Sequence, residues 1–173
     1  MIVINRLAIM AAVFAVAGSI GAADRDAAAQ EPPFLREGAS SGNLNTVRKA
    51  YEDWAAGGTT FFNELLAADV RWTIRGSGPI ARTYAGRDSF IREAVTPFGS
   101  RLAQPVKPEV RHLLADDDSV IAVWDGKGVA RDGKPYENSY VWIFRMSDGK
   151  AVEVEAFLDL EPYYDVLRRI PPG

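Results

Sequence analysis

The spacing of apolar residues changes once along the chain, from a helical period to a strand period. In the helical part, apolar residues recur three or four positions apart at Leu44, Val47, Tyr51 and Trp54. This spacing predicts a helix with one buried face. Asn43 is a candidate cap for its start, and Gly57-Gly58 is a typical stop.

Two more helices and one strand are predicted before Pro105. A short second helix, starting at Thr59 or Thr60, is indicated by Phe61, Phe62, Leu65 and Leu66. Alternation over residues 70–74 predicts a strand, and the glycine- and proline-containing residues 76–79 predict a loop. Asp88 is a candidate cap for a third helix. The apolar face of that helix would hold Phe90, Ile91, Ala94, Val95 and Phe98.

From Pro105 onward the period is two, which predicts a run of antiparallel strands. The strands cover about residues 106–114, 120–130, 136–145 and 151–160. Pro108 lacks a backbone N–H, so the first strand is expected at an edge or with a bulge. Asp132-Gly133 and Asp148-Gly149 are typical of tight hairpins, and the acidic residues 116–118 indicate a turn. A last short helix would bury Tyr163, Leu167 and Ile170.

Helices followed by a long antiparallel meander predict an α+β fold. We expect a cone-shaped α+β barrel, in which a strongly curved antiparallel sheet carries N-terminal helices on its concave face. The mouth of such a cone is a natural apolar pocket. Both faces of the central strands carry apolar residues, so the sequence leaves open which face lines the pocket.

The first 42 residues lie outside this pattern. Residues 1–23 have a basic residue, Arg6, then an apolar run to about Ile20 and a small-residue exit, which is typical of a secretory signal peptide. Cleavage is expected after residue 23 or as late as residue 29, giving a periplasmic or secreted protein. The alternative, a membrane anchor, would need a longer apolar run. Residues 24–42 indicate a disordered leader, and residues 43–173 form one domain.

Composition excludes several functional classes. The chain has 173 residues, 20 basic and 23 acidic, with a net charge of −3, so it has no basic footprint for nucleic acid and no feature that favours an anionic membrane once the signal is removed. It has no cysteine, which excludes disulfides, thiol nucleophiles and cysteine-based metal sites. Its single histidine, His112, argues against multi-histidine metal sites. No cofactor or metal is expected.

Several short sequence motifs follow one another over about residues 43–162. The first is Tyr51-x-x-Trp54-x-x-x-Gly58, and Tyr84-Ala85-Gly86-Arg87-Asp88 follows a strand centred on Trp72. The longest is Asp132-Gly133-Lys134-Pro135-Tyr136-x-Asn138-x-Tyr140-x-Trp142-x-Phe144, continued by Asp148-Gly149-Lys150 and Phe157-x-Asp159. This ordered set resembles the SnoaL-like branch of the nuclear transport factor 2-like superfamily. The resemblance implies the cone fold, which hosts isomerases, cyclases, epoxide hydrolases, dehydratases and proteins without known catalysis.

The resemblance also identifies departures from known constellations. In the isomerases a tyrosine and a protonated acid hold an oxyanion while a carboxylate moves a proton. Tyr51 falls at the place of that tyrosine, but Trp72 stands where the base is expected, and an indole cannot accept the proton. Where the usual family string carries Arg then Glu, this chain has Glu155 and Ala156, which argues against an epoxide-hydrolase-like network. The alternative role for Tyr51 is a core aromatic on the helix stripe.

His112 and Asp159 are the candidate catalytic residues. His112 is a group expected to titrate near neutral pH, and by alternation it shares a face with Val110 and Leu114. Asp159 ends the last strand, where an acid inside an apolar cone could act as general acid or base. The alternatives are a hydrogen-bonded core histidine and a strand-end aspartate that binds backbone amides.

An aromatic wall is the candidate binding surface. Alternating residues Tyr136, Asn138, Tyr140, Trp142 and Phe144 share one strand face. Such a face suits a planar or polycyclic ligand, although packing against helices or a second copy would explain it too. The candidate ligand-binding residues are Tyr51, Trp54, Trp72, Asn138, Tyr140 and Trp142.

The sequence therefore predicts an exported domain that binds a small, largely apolar molecule. If the domain is catalytic, the expected chemistry is cofactor-free acid–base isomerisation, cyclisation or dehydration. The alternative is a non-catalytic ligand-binding or dimeric interaction module. A homodimer is expected in either case, since the resemblance implies pairing through the outer face of the sheet.

Overall fold

The computed structural model describes residues 39–172, which contain one six-stranded sheet and five α-helices. The strands are β1 Leu66–Ile74, β2 Thr83–Ala85, β3 Leu102–Asp116, β4 Ser119–Ala130, β5 Pro135–Ser147 and β6 Lys150–Leu158. The helices are α1 Ala39–Ala55, α2 Phe61–Leu65, α3 Arg87–Phe90, α4 Thr96–Gly99 and α5 Leu160–Arg169. Among the described helices, none is long and apolar enough to cross a membrane.

The sheet is curved, open and mixed, in the order β2-β1-β6-β5-β4-β3. The α+β class and the antiparallel meander from β3 to β6 are confirmed. Two details differ from the expected antiparallel barrel: β1 and β6 run parallel, and the sheet is not closed. Parallel neighbours need a crossover, and here the helices and the meander lie between β1 and β6 in the chain. We call the side that buries Trp72, Trp124 and Trp142 the concave face, and the opposite side the convex face.

Helix α1 packs on the concave face through Val47 and Tyr51, which are both buried. It ends in a Schellman motif, in which the N–H of Gly58 donates to Asp53 O at 2.8 Å and the N–H of Gly57 donates to Trp54 O at 2.9 Å. Gly57 has a φ of 100°, which suits glycine. The stop is therefore confirmed.

The start of α1 differs from the prediction. The helix begins at Ala39 rather than after Asn43, so the last residues of the expected leader are helical. The remainder of that leader and the expected signal peptide lie outside the described residues.

The third helical segment is interrupted. Gly86, with a φ of 91°, precedes α3, so Asp88 is inside the first turn and is not the cap. Ile91–Val95 then forms a π turn, closed by the N–H of Thr96 donating to Ile91 O. Pro97 has no N–H to continue a regular ladder, which accounts for the break at this point. The predicted apolar face still forms, since Phe90, Ala94 and Phe98 are buried.

The turns at the two predicted hairpins, Asp132-Gly133 and Asp148-Gly149, have different backbone conformations. At the β5–β6 turn, Asp148 and Gly149 have φ values of 51° and 73°, as a type I′ turn requires. Between β4 and β5, Gly133 has a positive φ of 83° but Asp132 does not. The Asp132 carboxylate instead accepts a hydrogen bond from the N–H of Lys134 at 3.1 Å, as in an Asx turn.

Strand β3 lies at the sheet edge, as Pro108 predicts, and it contains a bulge that changes one face assignment. Val110 pairs with Trp124, whereas His112 pairs with Val123, so Arg111 is the extra residue. Val110 and His112 therefore do not share a face, contrary to simple alternation.

Helix α5 starts at Asp159, whose carboxylate accepts a hydrogen bond from the N–H of Glu161 at 2.9 Å. This contact satisfies one of the backbone donors that a helix start leaves free. Tyr163 and Val166 on the opposite side of α5 are buried.

We expect Asp159→Ala to lower the free energy of unfolding by about 1 kcal/mol, because the cap is lost. Asp159→Asn should retain most of that stability, since asparagine caps about as well as aspartate. Urea unfolding measures the difference, with Asp69→Ala, an exposed aspartate on β1, as the control. Equal stability of the two alanine variants would contradict the cap.

Candidate ligand-binding cavity

A cavity of about 320 Å³ lies between the concave face and the helices. Strands β1, β4, β5 and β6 supply its floor, and α2 and the segment from α3 to α4 supply its roof. Its aromatic lining residues are Trp54, Phe61, Phe62, Trp72, Phe90, Phe98, Trp124, Tyr140, Trp142 and Tyr163. Aliphatic residues and glycines make up most of the remainder.

The lining has no ordinary acid or base. Within the described residues, it includes no aspartate, glutamate, lysine, arginine or histidine. Its side-chain hydroxyl groups belong to Thr59, Tyr140 and Tyr163. Among residues 39–172, no three acidic or histidine side chains come together as a metal site. The cavity can therefore offer van der Waals contact, ring stacking and a few neutral hydrogen bonds.

The aromatic rings of the lining pack against one another in stacked and edge-to-face contacts. Trp124 and Tyr140 stack with centroids 3.9 Å apart and an interplanar angle of 6°, and Trp72 stacks on Phe90 at 4.1 Å. Trp142 meets Trp72 edge to face at 4.9 Å and Trp124 at 4.7 Å. Offset and edge-to-face contacts of this kind are favourable beyond the area they bury. The cavity wall is thus preformed.

Three indole N–H groups in this wall are buried without a hydrogen-bond partner, those of Trp72, Trp124 and Trp142. Their rings are held by edge-to-face contacts, those of Trp142 with Trp72 and with Trp124. These N–H atoms are covered by neighbouring side chains and are not open to solvent.

Tyr51 lies beneath the wall and does not line the cavity. It is 2% exposed and contacts Trp124 edge to face at 5.7 Å. Burial raises the pKa of its hydroxyl well above the ordinary value, and the nearby Trp124 indole opposes this only in part. The structure thus places Tyr51 in the core aromatic role.

Asn138 also lies outside the lining, but it is connected to it. Its Nδ2 donates to Tyr136 Oη at 3.0 Å, and the hydroxyls of Tyr136 and Tyr140 are 2.6 Å apart. Burial raises the pKa of Tyr136 and, more strongly, that of Tyr140, so both remain neutral donors at physiological pH. Tyr140 is the end of this network that reaches the cavity lining.

His112 is exposed on β3 and is not a lining residue. It lies beside Val123 on the convex face, because the bulge at Arg111 sets the register there. It therefore has no access to a ligand in the cavity.

Asp159 is likewise exposed and outside the lining, with its carboxylate engaged at the start of α5. The structure does not bring His112 and Asp159 together in the cavity. The Asp159 carboxylate instead binds a backbone amide, which is the alternative role that the sequence left open.

Ala156 places a methyl group on the cavity floor, at a position where the family resemblance implies an acid. It lines the cavity, in register with Trp142 on one side and Ile74 on the other. Its neighbour Glu155 pairs with Arg75 at 2.8 Å, which lowers the pKa of Glu155. Both acidic groups on this strand, Glu155 and Glu153, therefore belong to ion pairs outside the cavity lining.

Four of the predicted ligand-binding residues do line the cavity: Trp54, Trp72, Tyr140 and Trp142. Sequence reasoning missed the roof, which includes Phe61, Phe62, Phe90 and Phe98. The spacing of these apolar residues predicts buried helix faces, but it does not distinguish core packing from a cavity lining. Ile80, Tyr163 and the glycines of the lining gave no separate signal.

Comparison with known proteins identifies the family and structures that share this fold. The profile of the SnoaL-like domain matches residues 47–154. No curated protein matches the sequence. The structure of Bal32a from a soil-derived mobile gene cassette is similar, with a TM-score of 0.63 and 22% identity over 76% of this chain and 100% of that one.

Two further solved structures share the fold. An NTF2-like protein from Burkholderia thailandensis E264 has a TM-score of 0.60 and 23% identity, covering 72% of this chain and 96% of that one. TerC, co-crystallised with polyporic acid, has a TM-score of 0.60 and 18% identity, covering 73% and 98%. The profile match spans more than half of the sequence and covers strands β1 to β5, most of β6 and most of the cavity lining. The chain therefore belongs to the SnoaL-like domain family.

Proposed function

We propose that this domain binds a small, uncharged and largely apolar molecule without chemically transforming it. The observation that carries the proposal is a preformed aromatic cavity whose lining, within the described residues, has no carboxylate, histidine, lysine or arginine. Acid–base catalysis needs a group with a pKa near the working pH at the reacting atoms. Burial raises the pKa of both lining tyrosines, which moves them further from that range.

The dimensions favour a flat ligand of modest size. A volume of about 320 Å³ is near the lower end of the range for small-molecule pockets, which is about 300–1,000 Å³. Trp54, Trp142 and Tyr140 offer ring faces and edges for stacking. TerC, a protein of the same fold, has been co-crystallised with polyporic acid, which supports small-molecule binding by such a cavity.

A neutral fluorescent probe such as N-phenyl-1-naphthylamine should bind at one site per chain. Ala156→Leu adds bulk to the cavity floor and should weaken this binding about tenfold or more, a loss of about 1.4 kcal/mol. Fluorescence titration measures both affinities.

The control is Ala103→Leu, which makes the same change at an exposed position of β3. Its affinity for the probe should equal that of the wild type. If the wild type does not bind the probe, or if both variants bind it equally, the cavity is not the binding site.

We also propose that two copies pair through the convex face. Two rows of side chains cross this face in register, one through Val123, Val141 and Phe157 and one through Leu114, Ile121 and Ile143. Leu114 is 59% exposed and Phe157 is 42% exposed. Large exposed apolar side chains that form a contiguous patch mark an interaction surface, and the family resemblance supports a second copy as the partner.

Leu114→Lys should convert such a dimer to monomer, because it would bury an unpaired charge in the contact. Analytical ultracentrifugation distinguishes the two states. Ala55→Lys, which also introduces a lysine at an exposed position but on α1, should remain dimeric. A monomeric wild type at concentrations of about 100 µM, roughly an affinity of 5.5 kcal/mol, would contradict the pairing.

Export of the domain remains part of the proposal. Its support is the basic residue, apolar run and small-residue exit of residues 1–23. N-terminal sequencing of secreted or periplasmic material should begin near Asp24 or Gln30. A protein that retains Met1 would contradict export.

A further inference from the structure

The hydroxyl groups of the cavity lining differ in whether they already donate a hydrogen bond within the protein. Tyr163 Oη donates to Ala94 O at 2.9 Å in a buried contact, so its proton is used. Thr59 is exposed, where solvent competes for its hydroxyl. Tyr140 is 7% exposed and meets another hydroxyl, that of Tyr136, at 2.6 Å. Whether the Tyr140 proton is available to a ligand depends on the direction of this hydrogen bond.

The orientation of Asn138 sets that direction. Its Oδ1 accepts from the N–H of Ser139 at 2.9 Å and from the N–H of Asp159 at 3.3 Å. Two backbone donors on one side of the amide fix the oxygen there, because a flipped amide would face N–H against N–H. Nδ2 therefore donates on the other side, to Asp159 O at 2.7 Å and to Tyr136 Oη at 3.0 Å.

Tyr136 thus receives a proton from Asn138 and can pass its own to Tyr140. Tyr136 is 2% exposed and does not line the cavity, so Tyr140 Oη is the acceptor within its reach. When Tyr140 Oη accepts this bond, its own proton remains available to another acceptor, and Tyr140 is the residue of this network that lines the cavity. Successive hydrogen bonds of one direction also polarise one another, which strengthens the last donor.

The backbone keeps the Tyr140 ring in its position. The ring stacks on Trp124 with centroids 3.9 Å apart, and Gly126 lies beside both rings. A Cβ at Gly126 would fall 2.9 Å from Tyr140 Cε2 and 2.8 Å from Val106 Cγ1, so a side chain there would displace the ring. The donor is therefore preorganised before any ligand enters.

We propose that Tyr140 donates a hydrogen bond to a carbonyl oxygen of the bound molecule, with Tyr136 and Asn138 as positioning residues that orient the donor. This inference rests on the proposed function and narrows it, because it assigns the ligand to flat, uncharged ring systems that carry a carbonyl acceptor. The apolar remainder of the ring system would fill the rest of the aromatic cavity. The ligand would be held as a neutral ketone, since the described part of the lining has no base to remove a proton from it.

The test uses two ligands with the same rings, 9-fluorenone and fluorene, which differ by one carbonyl oxygen. Affinities are measured by quenching of tryptophan fluorescence, because all four tryptophans of the chain line the cavity. The ratio of fluorenone affinity to fluorene affinity should fall about three- to tenfold in Tyr140→Phe, the effect of one neutral hydrogen bond. In Tyr136→Phe it should fall by a smaller factor, because the donor remains and its orientation is lost.

Tyr84→Phe is the matched control. Tyr84 is a buried tyrosine whose hydroxyl donates to Ile80 O at 3.0 Å, and it does not line the cavity. Its removal should leave the ligand ratio unchanged. A second measurement on the wild-type protein, the infrared carbonyl stretch of bound fluorenone, should lie at lower frequency than in a hydrocarbon solvent.

The outcomes separate the two proposals. If neither ligand binds the wild-type protein, the proposed function fails and this inference fails with it. If both bind and the ratio is the same in wild type and Tyr140→Phe, or if the carbonyl stretch is unshifted, the cavity binds apolar ligands and the Tyr140 assignment is wrong. A ratio that falls in Tyr140→Phe but not in Tyr84→Phe, with a shifted stretch, supports the assignment.

Discussion

The packing of the Trp142 indole at the centre of the concave face is the interaction on which the rest of the structure depends. Trp142 meets Trp72 of β1 and Trp124 of β4 edge to face, and it stacks near Trp54 of α1 at 6.2 Å. These contacts join the first strand, the meander and the first helix in one rigid cluster. The same rings form the wall of the cavity, so stability and binding surface come from one set of side chains.

Because the same aromatic rings form both the core and the cavity wall, charged catalytic side chains are disfavoured in the cavity. A charged side chain among these rings would have to be desolvated without a partner, which is costly. The chain instead places its charged residues outside the cavity, where Arg75–Glu155 and Arg145–Glu153 pair at 2.8 and 3.1 Å. The polar groups of Tyr140, Tyr136 and Asn138 are buried beside the cavity. Their burial costs little free energy, because they hydrogen-bond to one another. This distribution of charge is the basis of the proposal that the domain binds a ligand without transforming it.

The parts of the fold that local sequence determines were predictable. Gly57-Gly58 ends α1 and Asp148-Gly149 forms the hairpin, because each depends on backbone conformations that few residues adopt. Alternation also identified Tyr140 and Trp142 as one face of β5. Non-local features were not predictable in the same way. The bulge at Arg111 placed His112 on the convex face, and the parallel pairing of β1 with β6 depends on residues far apart in sequence. For Asp159, the sequence left two roles open, and only the fold showed a helix start at that position.

The dependence of ligand affinity on pH tests the central claim most directly. The account predicts that the affinity for a neutral apolar probe is constant from about pH 5 to about pH 9, since the lining residues among 39–172 include no aspartate, glutamate, histidine or lysine. The lining tyrosines have pKa values raised above the ordinary one, so neither loses its proton there. Circular dichroism over the same range would verify that the fold is unchanged. A sigmoidal or bell-shaped dependence, with the fold intact, would reveal an acid or base at the ligand and would contradict the account.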